Sequence, residues 1–259
     1  MEFIHVDGVR LECRWIGIRR DDAPVLVFLH EGLGSVSLWR DFPDQVAAAT
    51  GLAAFVYSRQ GYGASSPVAL PRPLDYLERE GRDVLPRALD AAGIDSAILV
   101  GHSDGATIAL VHAALDRSGR LQAVAALAPH TFVEEVCVAA IAQVRETYDD
   151  GLRSRLLRHH GDNVDCAFWG WNRAWLDPGF TAMDFRPLLP AIRRPVLVIQ
   201  GEEDEYATRA QVDAVVEGVG GPVRALMLPQ CAHSPHRDQP QAVVTALAEF
   251  AGSFRRDGA

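Results

Sequence analysis

Short, unbroken apolar runs alternate with helix-length amphipathic segments along most of this chain. VLVFLH (25–30), AAFVYS (53–58), AILVGH (97–102), AVAALA (123–128), VLVIQG (196–201) and VRALMLP (223–229) lack the polar alternation of a half-exposed strand. Each therefore reads as a strand buried on both faces, which is the signature of a parallel sheet covered by helices. The N-terminal stretch differs: FIHVDGVRLECRWIGI carries the two-residue turn signal Asp7-Gly8 and predicts a hairpin. Helices are predicted over 38–49, with Leu38, Phe42, Val46 and Ala49 on one face, over 74–92, over about 104–117 and over about 239–254. Pro86 lacks an N–H, so the second of these should kink or restart there. Residues 130–190 break the rhythm: they hold helical stretches and Trp169, Trp171 and Trp175 but no convincing strand. The expected architecture is α/β, with a mostly parallel central β-sheet flanked by helices. Residues 1–129 and 191–259 form its core domain, and 130–190 a helical insertion.

Composition narrows the chemistry. At 259 residues with 48% apolar positions the chain can bury a large core as one domain with an insertion. Net charge is −9, which disfavours a phosphate backbone as partner. Every basic residue is Arg, so a Schiff-base lysine and a P-loop lysine are both excluded. Cys13, Cys137, Cys166 and Cys231 form no C-x-x-C pair, and neither a metal nor an organic cofactor is suggested. The N-terminus has an early acid and no long apolar run, unlike a signal peptide, and no run approaches bilayer-spanning length. A cytoplasmic protein, monomer or homodimer, without a nucleic-acid or membrane partner, is the expectation.

In parallel α/β sheets function sits at the carboxyl ends of the strands. AILVGH runs into Gly101-His102-Ser103-Asp104-Gly105, a G-x-S-x-G pattern between a buried strand and an apolar helix. A nucleophile on so tight a turn is forced into strained angles, and small neighbours let the helix pack on the strand. A serine hydroxyl needs a base to take its proton, commonly a histidine oriented by a carboxylate. The acid cluster Glu202-Glu203-Asp204-Glu205 follows a later strand, and His233 and His236 follow the next.

On these residues the chain resembles the α/β-hydrolase superfamily, specifically a serine-nucleophile, helical-cap, carboxylesterase-like member. The nucleophile elbow matches Gly101–Gly105. The family's Gly-x-x-Asp acid loop matches Gly201-Glu202-Glu203-Asp204 and selects Asp204. Its late His, seven residues before a helix-opening Pro, matches His233 and Pro240 and makes His236 a structural or rim residue. The early His-Gly turn corresponds to His30 onward, Trp39-Arg40 falls where many members have Trp-Arg, and 58–65 resembles the Arg-x-Gly-x-Gly-x-Ser loop. The resemblance implies that Ser103 attacks a carbonyl, His233 shuttles the proton and Asp204 holds the imidazole. It also implies an oxyanion hole from the backbone N–H groups of Gly32 and Asp104, and a cap formed by 130–190.

Two departures stand out. Glu31 replaces the usual glycine of the early turn, and Asp104 follows the nucleophile where neutral residues are common. Two acids beside a partly dry site favour a neutral or cationic small-molecule ester. Glu31, Phe132, Trp169, Trp171 and Trp175 are the candidate substrate-binding residues, one or two of the tryptophans facing substrate. His30 reads as a core histidine, and His159-His160, among several arginines, as a solvated helix face. Other enzymes of the family use the same triad: C–C bond hydrolases of ring-cleavage products, acyltransferases and thioesterases. A non-catalytic ligand-binding member would retain it too. A dinucleotide turn at Gly32-Leu33-Gly34 is opposed by Ser37 in place of the third glycine and by Glu31.

Overall fold

The structure is a computed structural model that describes residues 2–254. Its centre is an eight-stranded sheet in the order β1-β2-β4-β3-β5-β6-β7-β8. β1 (Glu2–Val6) and β2 (Val9–Ile16) form the expected hairpin around Asp7 and Gly8, both at positive φ. β2 joins the rest antiparallel, through β4 (Ala54–Tyr57). From there β4, β3 (Val25–Leu29), β5 (Ala97–His102), β6 (Leu121–Leu127), β7 (Val196–Gly201) and β8 (Val223–Leu228) run parallel.

The apolar runs have their reason in two cores, one on each face of the sheet. Along β3, Val25, Val27 and Leu29 point into one and Leu26 and Phe28 into the other. The second face is covered by α1 (Phe42–Thr50) and α10 (Pro240–Gly252), through Phe42, Val46, Val243 and Leu247. The first is covered by α2 (Tyr76–Arg79), α3 (Leu85–Ala91) and α4 (Asp104–Leu115). The break at Pro86 is real. A π-helical turn over Glu80–Val84 separates α2 from α3, which restarts with proline in its first turn.

Two local expectations fail for identifiable reasons. The helix predicted from residue 38 begins only at Phe42, because Pro43 sets its first turn; Ser37–Trp39 is a separate 3-10 turn. The run 223–229 is not buried on both faces: β8 is the sheet edge, half open to solvent, and its Arg224 pairs with Glu249 at 2.9 Å.

Between β6 and β7 the chain leaves the sheet and forms α5 (Glu135–Glu146), α6 (Arg153–His160) and α7 (Val164–Trp175). An antiparallel bridge between Phe132 and Asp184 closes the neck of this excursion. In α7, Val164, Ala167, Phe168, Trp171, Ala174 and Trp175 recur at helical spacing and are buried. α8 (Ala210–Gly218) and α9 (Pro235–Asp238) complete the fold.

Candidate active site

Ser103 follows β5 directly, at φ 51°, ψ −118°. A residue with a Cβ in that region carries strain, commonly about 1–3 kcal/mol, that the surrounding packing must hold. The flanking glycines show why the packing is so close. A Cβ on Gly105 would lie 2.0 Å from the carbonyl oxygen of Leu29, and one on Gly101 would lie 2.3 Å from that of Gly105. α4 thus presses against β3 and β5, and the serine projects from the turn between strand and helix.

The ends of β7 and β8 bring the acid and the base to it. His233 Nε2 is 3.0 Å from Ser103 Oγ, and His233 Nδ1 is 2.8 and 3.0 Å from the two carboxylate oxygens of Asp204. Asp204 also accepts from the backbone N–H groups of Tyr206 and Ala207, at 2.9 and 3.2 Å. Burial pushes its carboxyl up, but the His233 hydrogen bond, the His233 charge and the Tyr206 N–H outweigh burial and hold it below the usual range. With Asp204 ionised, Nδ1 carries the proton and Nε2 faces Ser103 as an acceptor. The rival His236 is elsewhere: it is packed against Trp39, Phe42 and His102, and among the described residues neither ring nitrogen has a hydrogen-bond partner.

A cavity of about 280 Å³ opens over Ser103. Its apolar wall comes from the excursion between β6 and β7, through Cys137, Ile141, Leu152, Leu156, Trp171 and Trp175. Its rim carries Glu31, Glu205 and Arg237. Gly32 and Asp104 also line it, and among the described residues neither of their N–H groups makes a hydrogen bond. A Cβ on Gly32 would come within 2.2 Å of Trp171 Nε1, so the indole lies directly over the early loop.

The tryptophans and Phe132 separate cleanly. Trp171 and Trp175 line the cavity; Trp169 and Phe132 do not. Trp169 is half-buried on α7 away from the cavity, packed against Tyr148 and Phe168 and under the guanidinium groups of Arg173 and Arg145 at 5.0 and 5.8 Å. Phe132 is turned away by its pairing with Asp184 and lies beneath Arg186 at 4.5 Å. Both are corrected as substrate-binding candidates.

The two extra carboxylates are each supplied with a cation. Glu31 accepts from Arg237 at 3.0 Å and lies 3.7 Å from His102 Nδ1. Burial opposes its ionisation, yet His102 and Arg237 hold its carboxyl well below the usual range. Asp104 accepts from Tyr76 Oη at 2.5 Å and Trp175 Nε1 at 3.2 Å, with Arg59 at 4.0 Å. Charge alone therefore gives no reason to prefer a cationic substrate.

Sequence reasoning passed over one histidine and misplaced another. His130 lines the cavity with its ring 5.4 Å from that of His233, and its buried Nδ1 has no hydrogen-bond partner among the described residues. Burial, aided by His233, lowers its pKa to about 3, so it is neutral at pH 7. Its position just beyond β6 was the available signal. His160, read as solvated, is buried instead, hydrogen-bonded to Gly63 and Leu33. His30 does serve the core, accepting from the Arg59 N–H at 3.1 Å.

Residues 26–246 match the alpha/beta hydrolase family. Serine hydrolase BPHL of Mus musculus is 24% identical over 240 residues, covering 90% of this chain and 80% of that protein. The enol-lactonase from Burkholderia xenovorans LB400 superimposes with a TM-score of 0.75 at 23% identity, over 96% of this chain and 99% of that one. The meta-cleavage product hydrolase from Pseudomonas fluorescens IP01 gives a TM-score of 0.72 at 16% identity, over 98% of each chain. The match across most of its length, on a sheet of this order and direction, makes the chain a hydrolase belonging to the alpha/beta hydrolase family.

Proposed function

We propose that this protein hydrolyses a small, neutral carboxylic ester through an acyl-enzyme on Ser103. The observation that carries the reading is the continuous chain from Ser103 Oγ to His233 Nε2, at 3.0 Å, and from His233 Nδ1 to Asp204, at 2.8 Å. Ser103 Oγ attacks the ester carbonyl as His233 takes its proton. The oxyanion is received by the N–H groups of Gly32 and Asp104, each such donor being worth on the order of a hundred- to a thousandfold in rate. His233 then protonates the departing alkoxide. A water, activated by the same histidine, releases the acid.

The cavity supports a small substrate: about 280 Å³ lies just below the roughly 300–1,000 Å³ of drug-sized ligand sites. Its apolar wall suits an acyl or aryl group, with segment 130–190 acting as the cap. The named enol-lactonase acts, by its name, on an internal ester, which is compatible with this chemistry.

The test is covalent labelling with a fluorophosphonate followed by peptide mass spectrometry. Modification of Ser103 in the wild type, slowed at least about a hundredfold in Asp204→Asn, is the expected result. Labelling elsewhere, or equal labelling in both proteins, contradicts the reading.

A further inference from the structure

Behind the nucleophile, and shut off from solvent, lies an ion pair that the hydrolytic steps do not use. Arg59 follows β4 and is 1% exposed; Asp104, at the start of α4, is fully buried. Arg59 Nη1 donates to the carbonyl oxygen of His30 at 2.5 Å, and Nη2 donates to that of Glu31 at 3.0 Å. His30 Nδ1 lies 2.7 Å from the same Glu31 oxygen. Because its Nε2 accepts from the Arg59 N–H, Nδ1 is the protonated nitrogen and donates.

These contacts act on a peptide plane. In a trans peptide the C=O and the following N–H point in opposite directions. Three donors on the Glu31 carbonyl, His30 Nδ1, Arg59 Nη2 and the Gly34 N–H at 3.1 Å, therefore aim the Gly32 N–H away from Arg59 and toward the cavity that Gly32 lines. The other oxyanion donor is the N–H of Asp104, one of the unpaired groups at the head of α4. The side chain of that residue is the counter-ion of Arg59, at 4.0 Å. Tyr76 and Trp175 hold both of its oxygens, leaving it an acceptor throughout.

We propose that the Arg59–Asp104 pair is a positioning device that sets both halves of the oxyanion hole together, locking the Gly32 N–H through the Glu31 carbonyl and the Asp104 N–H through its own side chain. This inference rests on the ester-hydrolase reading of the site. A pair serving only to fill the core would leave transition-state binding untouched once the protein is folded. A positioning pair makes a different demand: loss of the Asp104 charge or of the Arg59 fork should loosen the donors, while an asparagine at 104 can still accept from the cavity-lining Trp175.

The experiment compares wild type, Asp104→Asn and Arg59→Lys, each quantified as folded enzyme by circular dichroism. kcat and KM are measured on p-nitrophenyl butyrate, and Ki for phenylboronic acid, which forms a tetrahedral adduct on serine. Asp104→Asn should lower kcat about 10- to 100-fold, raise the boronate Ki by a similar factor and leave KM within about threefold. Arg59→Lys keeps the charge but loses the forked donor, so it should fall in the same direction. Folded variants with wild-type kcat and Ki, or losses confined to KM, overturn the proposal. So does a loss that follows only the unfolded fraction. Wild type that neither turns over ester nor binds boronate overturns the underlying reading as well. Active wild type with unaffected variants overturns this inference alone.

Discussion

The Nε2 atom of His160 lies 2.9 Å from the carbonyl oxygen of Leu33. His160 ends α6 in the excursion between β6 and β7, whereas Leu33 belongs to the loop after β3 that carries Gly32. On its other side the ring accepts from the Gly63 N–H at 3.0 Å, which leaves the proton on Nε2 to donate to Leu33. One buried imidazole thus ties the helical segment to two loops of the sheet domain. Asn163 reinforces the junction, donating to the carbonyls of Gly63 and Ser65 at 3.1 and 2.6 Å.

Removing that imidazole strands a buried N–H and a half-buried carbonyl. His160→Ala should cost about 2–4 kcal/mol of unfolding free energy, from two unsatisfied backbone groups at about 1–3 kcal/mol each, partly rehydrated. The measurement is urea unfolding of variant against wild type. A cost under about 0.5 kcal/mol, as for a surface substitution, contradicts the assignment.

The same burial predicts acid sensitivity. His130 and His160 have pKa values lowered from 6.5 to about 3 and about 4, burial being the largest cause in both. Below pH 6.5 the unfolded chain takes up protons that the folded one refuses. Stability is therefore complete above about 6.5 and falls as pH drops toward 4, by up to about 1.4 kcal/mol per proton per pH unit. Asp204 acts in the same direction but in a lower window: its carboxyl is held below 3.8, so its contribution is present above that pH and goes only below it. Unfolding free energy should consequently drop by about 2–4 kcal/mol between pH 6.5 and 5.0, with His160→Gln flattening the slope by about one proton. A flat profile over that interval contradicts the account.

Trp171 and Trp169 are two residues apart on α7, yet one lines the cavity and the other does not. Trp171→Ala should shift the preferred ester toward longer or bulkier acyl groups, changing relative kcat/KM by about tenfold or more, the scale of a methylene or two in an apolar pocket. Trp169→Ala should leave the chain-length profile unchanged. Parallel profiles in both variants would contradict the placement.

Glu31 is already paired with Arg237, so its charge should have little hold on substrate choice. Glu31→Gln should leave the ratio of kcat/KM for neutral and amine-bearing esters within about twofold, whereas Arg237→Gln, which unmasks the carboxylate, should tilt it toward the amine. A large shift in Glu31→Gln with none in Arg237→Gln would contradict the pairing.

Most of the sheet was legible because burial on both faces leaves continuous apolar runs, as in Val25–Leu29 and Val196–Gly201. The elbow was legible because its spacing has a steric cause, seen in the contacts of Gly101 and Gly105. β8 misled because an apolar run at a sheet edge looks like one at the centre. Trp169 and Phe132 misled because aromatic type does not say which side of a helix or neck faces a cavity. Three-dimensional neighbours decided His160 and Arg59: each acts through backbone groups far away in sequence, Gly63 and Leu33 for one, His30 and Glu31 for the other. Side-chain type at one position carries no trace of such partners.

The central claim is that Ser103 forms an acyl-enzyme. Its most direct test is rapid mixing of wild type and Ser103→Ala with p-nitrophenyl esters from acetate to octanoate at neutral pH. The account predicts a p-nitrophenolate burst stoichiometric with enzyme, followed by steady turnover, with both lost in Ser103→Ala and the optimum among the shorter acyl groups. Equal rates in the two proteins, or none in either, would contradict it.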